Sequence, residues 1–185
     1  MLARFVRPLG PLALAGLTVA CGAGSSPGGT FQPSGSLRAP TAPTGGPTGP
    51  GALPTPQIDA QVLRQYNAYQ QAYKTAYERN DPSDLPAVAT DPLLTTVTRD
   101  IERTRAKGEI WRFVNISNPR VYARSPDGLT VYVLDCMRTL AVYRYSAKTG
   151  RRTGNGEGGR YRYRAAVKYE NSAWKVSDTK RDKAC

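Results

Sequence analysis

The chain has 185 residues, with 26 Lys and Arg against 14 Asp and Glu, and a formal net charge of +12. It contains no histidine, which excludes Ser–His and Cys–His nucleophile pairs, histidine metal sites and the commonest general base. The excess of basic residues favours anionic partners, with an attraction that salt screens.

Residues 1–20 are typical of an export signal, with an apolar centre that is too short to span a bilayer, which needs roughly 20 residues. The signal ends in Leu17-Thr18-Val19-Ala20-Cys21, which resembles a bacterial lipobox, although the commonest pattern has Leu in place of Thr18. The resemblance implies that Cys21 carries lipid and anchors the mature protein to the extracytoplasmic face of the cell membrane. The alternative is ordinary signal cleavage and a soluble secreted protein.

The chain has three cysteines, at positions 21, 136 and 185. An odd number in an exported protein leaves one over, and lipidation of Cys21 would account for it. We therefore predict that Cys136 and Cys185 pair in an oxidising compartment, with two free thiols as the alternative.

The segment after the signal, residues 21–56, has the composition of a disordered tether. Its 35 residues from Gly22 to Pro56 include 8 Pro and 9 Gly, too little apolar material to offset the entropy of ordering the chain. Arg4, Arg7 and Arg38 are the only charged residues before position 57, so the remaining 23 basic and 14 acidic residues leave a net charge of +9 on residues 57–185.

Two helices and a short helical turn are predicted next. Residues 57–79 carry apolar side chains at helical spacing, with Thr55 as the expected N-cap; they are Ile58, Val62, Tyr66, Tyr69, Tyr73 and Ala76. Asp84 is placed to cap a short turn over 85–89. A second helix should begin at Asp91-Pro92 and end at Gly108.

After Gly108 the period changes to two, which predicts strands over 110–116 and 120–124 joined to a long strand over 129–145. Residues 125–128, Ser-Pro-Asp-Gly, are typical of a type I turn. The long strand exceeds the usual length, so we expect a bulge near Met137-Arg138.

The remaining residues predict a hairpin loop and two more strands. Residues 146–159 are rich in glycine and basic side chains and are expected to form the loop. Residues 160–170 alternate, which predicts tyrosines on the inner face and basic side chains on the outer face. Trp174 and Val176 return the chain, and a basic tail brings Cys185 back towards the sheet.

Helices followed by a meander of strands predict an α+β fold, with helices packed on one face of a curved antiparallel sheet over residues 57–185. The element order resembles the nuclear transport factor 2-like cone, as do three stretches: 127–136 (DGLTVYVLDC), 148–150 (KTG) and 173–176 (AWKV). With the terminal Cys185, the chain is similar to exported actinobacterial lipoproteins of that superfamily. The superfamily includes isomerase-like enzymes, cyclases and non-catalytic binding domains, so the resemblance describes a scaffold more than a chemistry.

An enzyme of this scaffold needs a carboxylate and a phenol inside the cone, as the isomerase-like relatives use. The candidates are Asp100, Asp135 and the tyrosines at 66, 69 and 73. Their alternative roles are a surface carboxylate, a salt-bridge partner and core tyrosines. The sequence offers no cluster of metal ligands, and we expect no metal and no cofactor.

A basic face is the second candidate site. It comprises Arg151, Arg152, Arg160, Arg162, Arg164 and Lys168. Since the interleaved tyrosines should point inward, base stacking is not expected there and neither is nucleic acid. Anionic lipid head groups or cell-wall polymers are the expected partners, and a solvated charged face is the alternative. The favoured function is a non-catalytic envelope binding or accessory module, and the alternative is a small-molecule enzyme.

Overall fold

A computed structural model of the protein describes residues 49–185. The predicted export signal, Cys21 and most of the predicted tether lie outside the described residues. The tether's last residues are described: Pro50–Ala52 form a 3-10 turn in which Pro50 is buried. No helix within residues 49–185 is both long and apolar enough to cross a bilayer.

The first helix, α1, spans Thr55–Arg79 and begins two residues before the predicted position. Thr55 lies inside it and makes no side-chain cap, so the predicted capping role is wrong. The carbonyl of Pro54 instead accepts hydrogen bonds from the amides of Gln57 and Ile58, at 2.9 and 3.2 Å. The helix ends where Asn80 adopts a left-handed conformation, with φ of 53°.

The predicted apolar face of α1 packs against the sheet. Five of its six residues are buried, and Tyr73 is partly buried against the same cluster. Tyr77 is buried as well. It packs edge-on to Phe113, with ring centroids 5.4 Å apart, and its hydroxyl bonds a second helix, so a residue next to the predicted stripe also joins the core.

The second helix, α2, spans Leu93–Ala106 and follows a 3-10 turn at Leu85–Ala87. The carboxylate of Asp91 accepts hydrogen bonds from the Thr95 amide and hydroxyl, at 3.1 and 2.6 Å, and so satisfies a free donor of the first turn. Gly108, with φ of +69°, turns the chain into the sheet.

Six antiparallel strands form one sheet. They are β1 (Glu109–Ile116), β2 (Pro119–Arg124), β3 (Thr130–Ser146), β4 (Arg152–Gly156), β5 (Gly159–Glu170) and β6 (Ala173–Ala184). The long strand β3 is central: its first half pairs with β2 and β5, and its second half pairs with β1 and β4. Strand β6 pairs with β5, and both helices pack on one face of the sheet.

Two predictions for this region need correction. The expected loop at 146–159 contains strand β4, which pairs with β3. Glycine suits this pairing, because a Cβ at Gly154 or Gly156 would lie 3.2 Å from the side chain of Arg144 or Val142. The expected bulge lies at Leu140 rather than at Met137-Arg138: Val114 pairs with Ala141 and Asn115 with Thr139, which leaves Leu140 as the extra residue.

The structure therefore has the α+β architecture, with N-terminal helices on a curved antiparallel sheet, that the resemblance to the nuclear transport factor 2-like cone implies. The predicted disulfide is confirmed, with Cys136 and Cys185 Cα atoms 6.0 Å apart. Strand β5 lies between the strands that carry them, since Arg162 pairs with Cys136 and Tyr161 with Ala184. The C-terminal residue thus reaches across β5 to β3.

Candidate functional site

The main cavity lies between α1 and the inner face of the sheet and has a volume of about 510 Å³. Five of the thirteen residues that line it are aromatic, and the others are mostly polar; the aromatic residues are Tyr69, Tyr73, Phe113, Tyr161 and Tyr163. Two of the three tyrosines of the predicted α1 stripe therefore line it. Burial raises the pKa of Tyr69 and of Tyr73, so both stay neutral phenols at physiological pH.

The bulge in β3 determines which side chains reach this cavity. Before the bulge the odd-numbered residues point inward, and Met137 and Thr139 line the cavity. After Leu140 the alternation reverses, and Val142 lines it instead. A bulge at the predicted position would have turned Thr139 outward.

Glu157 is the only carboxylate among the described residues that line the main cavity, and the sequence analysis did not single it out. It lies between β4 and β5, where Gly158 approaches the bulge so closely that a Cβ would be 2.7 Å from the Thr139 carbonyl oxygen. The Gly-Glu-Gly-Gly run at 156–159 is the signal that could have identified this break in the strand. The side chain of Glu157 is exposed, so water reaches its carboxylate.

Two other polar side chains at the cavity matter for ligand binding. The Oδ1 atom of Asn115 on β1 is buried and accepts no hydrogen bond, an arrangement that costs free energy unless a donor completes it. Arg181 on β6 lies with its guanidinium 4.8 Å from the centre of the Tyr161 ring, so the cavity combines aromatic walls with a cation and an acceptor without a partner.

Asp135, a predicted catalytic candidate, lies on the inner side of β3 but does not line this cavity. Its side chain is fully buried. One carboxylate oxygen accepts from the Tyr66 hydroxyl at 3.0 Å and the Ser117 hydroxyl at 2.6 Å, and the other accepts from the Asn118 amide at 2.7 Å. Asp135 therefore links α1, the β1–β2 connection and β3.

Asp100, the other catalytic candidate, lies on α2 beside a smaller cavity of about 320 Å³. It accepts a short hydrogen bond from the Tyr77 hydroxyl and another from Arg103 at 2.8 Å. The Tyr77 hydrogen bond and then Arg103 hold the pKa of this carboxyl below its ordinary value. Asp100 is thus an ionised partner of two side chains, and it does not line the main cavity.

The basic side chains predicted on β5 occupy its outer face. Arg160, Arg162, Arg164 and Lys168 are all exposed there, while Tyr161 and Tyr163 point inward as predicted. Arg164 is held by Asp182 through contacts of 2.6 and 3.0 Å. Arg151 and Arg152 are exposed at the start of β4, and Arg152 lies 4.3 Å from the centre of the Tyr143 ring. Within residues 49–185, no group of three His, Cys, Asp or Glu could hold a metal ion.

No family model matches the chain, and no curated protein matches its sequence. Among solved structures, the intermembrane space region of the chloroplast protein ARC6 matches with a TM-score of 0.57 and 16% identity, over 66% of this chain and 95% of that one. This likeness shows the fold alone.

Two further solved structures match with lower TM-scores. A candidate dehydratase of the NTF2-like family from Streptomyces avermitilis has a TM-score of 0.43 and 12% identity, over 65% of this chain and 95% of that one. A protein with a cystatin-like fold from Caulobacter vibrioides has a TM-score of 0.39 and 14% identity, over 66% of this chain and 90% of that one. The likeness to the ARC6 region therefore supports the fold and does not indicate a chemical function.

Proposed function

We propose that the protein is a lipoprotein of the cell envelope, held at the extracytoplasmic face by lipid on Cys21, whose α+β domain binds a ligand without chemical turnover. The main support for a binding role is that the two candidate catalytic carboxylates, Asp100 and Asp135, do not line the cavity. Five aromatic side chains line the cavity, whereas Asp100 and Asp135 lie outside it and are engaged by hydrogen bonds elsewhere. A carboxylate with both oxygens occupied by protein donors has no free contact to offer a substrate.

The chemical class of the ligand is inferred from the side chains that line the main cavity. Aromatic rings and Met137 favour an apolar or aromatic body, and the free acceptor on Asn115 favours a ligand that donates a hydrogen bond. Arg181 would favour a negative charge at the cavity mouth. We therefore propose a small amphipathic ligand.

The cavity is tested with the fluorescent probe anilinonaphthalene sulfonate, which carries an aromatic body, an N–H donor and an anion. Val142→Trp fills the cavity from β3, and we expect probe affinity about tenfold lower. Val114→Trp is the matched control, because Val114 is 44% exposed on the opposite face. Equal affinity in both variants would show that the probe binds elsewhere and would remove the support for the cavity.

The alternative is a small-molecule enzyme, and Glu157 favours it because proton abstraction needs a carboxylate at the cavity. Nitrobenzisoxazole, a generic probe of proton abstraction from carbon, tests this. A binding module should give the same rate with wild type and with Glu157→Gln. A rate that falls at least tenfold in Glu157→Gln would instead support the enzyme.

The anchor is tested by mass spectrometry of the protein made in a bacterium that processes lipoproteins. We expect a diacylglycerol adduct on an N-terminal Cys21, and release from the membrane fraction in Cys21→Ser. An unmodified N-terminus at another position would replace the envelope location with a secreted one.

The exposed basic face is proposed to contact anionic lipid head groups or cell-wall polymers. It comprises Arg151, Arg152, Arg160, Arg162, Arg164 and Lys168.

A further inference from the structure

A shallow groove on the outer face of the sheet shares Arg164 with the proposed basic face and adds aromatic side chains that the proposed function does not use. It has a volume of about 250 Å³ and is separate from the cavity under the helices. Tyr122 on β2 and Tyr132 on β3 form one wall, and Arg164 on β5 with Asp178 and Lys180 on β6 form the other. The inward-pointing tyrosines of β5 are not part of it.

The groove is open at Ala166, whose small side chain lies between those of Tyr132 and Asp178. Ala166 pairs with Tyr132 on one side and with Asp178 on the other, so these three residues form a row across β3, β5 and β6. A methyl group between a phenol ring and a carboxylate leaves a hollow with a flat floor. Its depth is therefore set by one side chain.

The aromatic wall is accessible to a ligand. Tyr122 is 48% exposed, and its ring centroid is 6.1 Å from that of Tyr132, with the planes tilted by 49°. Exposed aromatic rings that are held by a neighbour offer apolar area at low entropic cost. Such a surface suits the C–H face of a sugar ring.

The polar wall offers both kinds of hydrogen-bonding group. Arg164 is fixed in place by its two contacts with Asp182, and Lys180 pairs with it across the strands. Lys180, and the N–H groups of Arg164 that Asp182 does not occupy, suit an acidic substituent, while the carboxylate of Asp178 can accept from hydroxyl groups. A lipid head group would contact the cations but not the aromatic rings.

We propose that this groove binds one residue of an acidic polysaccharide, with the sugar ring against Tyr122 and Tyr132 and its acid group near Arg164 and Lys180. The biological relevance of such a ligand rests on the proposed envelope location, but the binding itself does not. The excess of basic residues on β5 would extend the contact along the polymer.

The test compares three polymers binding to the full-length Cys21→Ser chain. Alginate is a chain of acidic sugars, dextran has sugars without charge, and polyglutamate has charge without sugars. We expect alginate to bind about tenfold more tightly than either control. Equal binding of alginate and polyglutamate would mean that the groove acts only as a charged patch, and it would overturn the proposal. Binding of anionic vesicles as tight as that of alginate would also overturn it.

Two pairs of variants locate the site. Tyr122→Leu keeps apolar area and loses the ring, and Ala166→Leu fills the hollow without changing charge; each should weaken alginate binding about tenfold and leave polyglutamate binding unchanged. Lys180→Gln should weaken alginate more than Lys107→Gln does, although both remove one charge and Lys107 follows α2, away from the groove. Unchanged alginate binding in Tyr122→Leu and Ala166→Leu would overturn the assignment. Circular dichroism checks that each variant is folded.

Because these measurements use neither the lipid nor the cavity, a negative result here can be distinguished from failure of the proposed function.

Discussion

At the scale of single residues, Asp135 shows how a candidate catalytic group can serve the fold instead. The alternation along β3 places it on the inner face with Val131 and Val133, and all three side chains are fully buried. The sequence could not show that Tyr66, Ser117 and Asn118 would converge on the carboxylate, because they come from segments far apart in the chain.

Replacement of Asp135 by asparagine should destabilise the protein. The amide oxygen can keep the hydrogen bond from the backbone N–H of Asn118, which cannot reverse its role. The NH₂ group would then face the Tyr66 and Ser117 hydroxyls, which both donate to the carboxylate in the wild type. We expect a loss of about 2–4 kcal/mol in the free energy of unfolding, measured by urea denaturation. Tyr66→Phe removes one donor only and should cost about 1 kcal/mol. Equal stability of Asp135→Asn and wild type would contradict this role.

The lowered pKa of Asp100 predicts a pH-dependent contribution to stability. Since the folded-state pKa lies below the ordinary value of 3.8, the contribution is fully present above that value and disappears as pH falls through the folded-state pKa. Asp100→Asn should therefore be less stable than wild type at pH 7, by under about 1 kcal/mol because the side chain is 46% exposed. Urea midpoints of the two proteins should converge at about pH 2; a constant difference at both pH values would argue against the Tyr77 and Arg103 contacts as its source.

At the scale of elements, the bulge in β3 and the break between β4 and β5 are one structural feature. Leu140 is the extra residue of β3, and Gly158 packs against the carbonyl oxygens of Thr139 and Leu140. The length of β3 predicted that a bulge should exist, but its position depends on pairing with β1, which is a tertiary contact.

Gly158→Ala should disturb this feature, because its Cβ would lie 2.7 Å from a backbone oxygen that cannot rotate away. We expect a loss of about 1–3 kcal/mol in stability. Gly154→Ala is the control: its Cβ would meet the flexible end of Arg144 at 3.2 Å, so its cost should be clearly smaller. Thermal or urea unfolding of both variants makes the comparison, and a larger cost for Gly154→Ala would refute it.

At the scale of the whole molecule, the disulfide joins the last residue to the central strand across β5. Cys136 and Cys185 are 49 positions apart in the sequence, and the residues between them include all of β4, β5 and β6. The last strand also contributes Thr179 and Arg181 to the main cavity, so the cross-link holds a wall of the site as well as the edge of the sheet.

Removal of the cross-link should be costly for stability. In the double variant Cys136→Ser with Cys185→Ser, the loss of loop closure predicts a decrease of about 4 kcal/mol in the free energy of unfolding. Denaturation of the variant under oxidising conditions measures it, and wild type with reductant should lose a similar amount. A loss below about 1 kcal/mol would mean that strand pairing alone fixes the end of β6.

The sequence by itself determined the order along the chain of the two helices and of every strand except β4, the inward and outward faces of α1 and β5, and the cysteine pair, because the spacing of apolar residues and the number of cysteines can be read directly from the chain. The order of the strands, the bulge at Leu140 and the strand within the glycine-rich segment depended on pairing between distant residues. For the same reason only the tertiary structure decided that Asp100 and Asp135 lie outside the main cavity while Glu157, Asn115 and Arg181 line it. Packing likewise placed Tyr122 and Tyr132 beside basic residues from other strands, which no local pattern encodes.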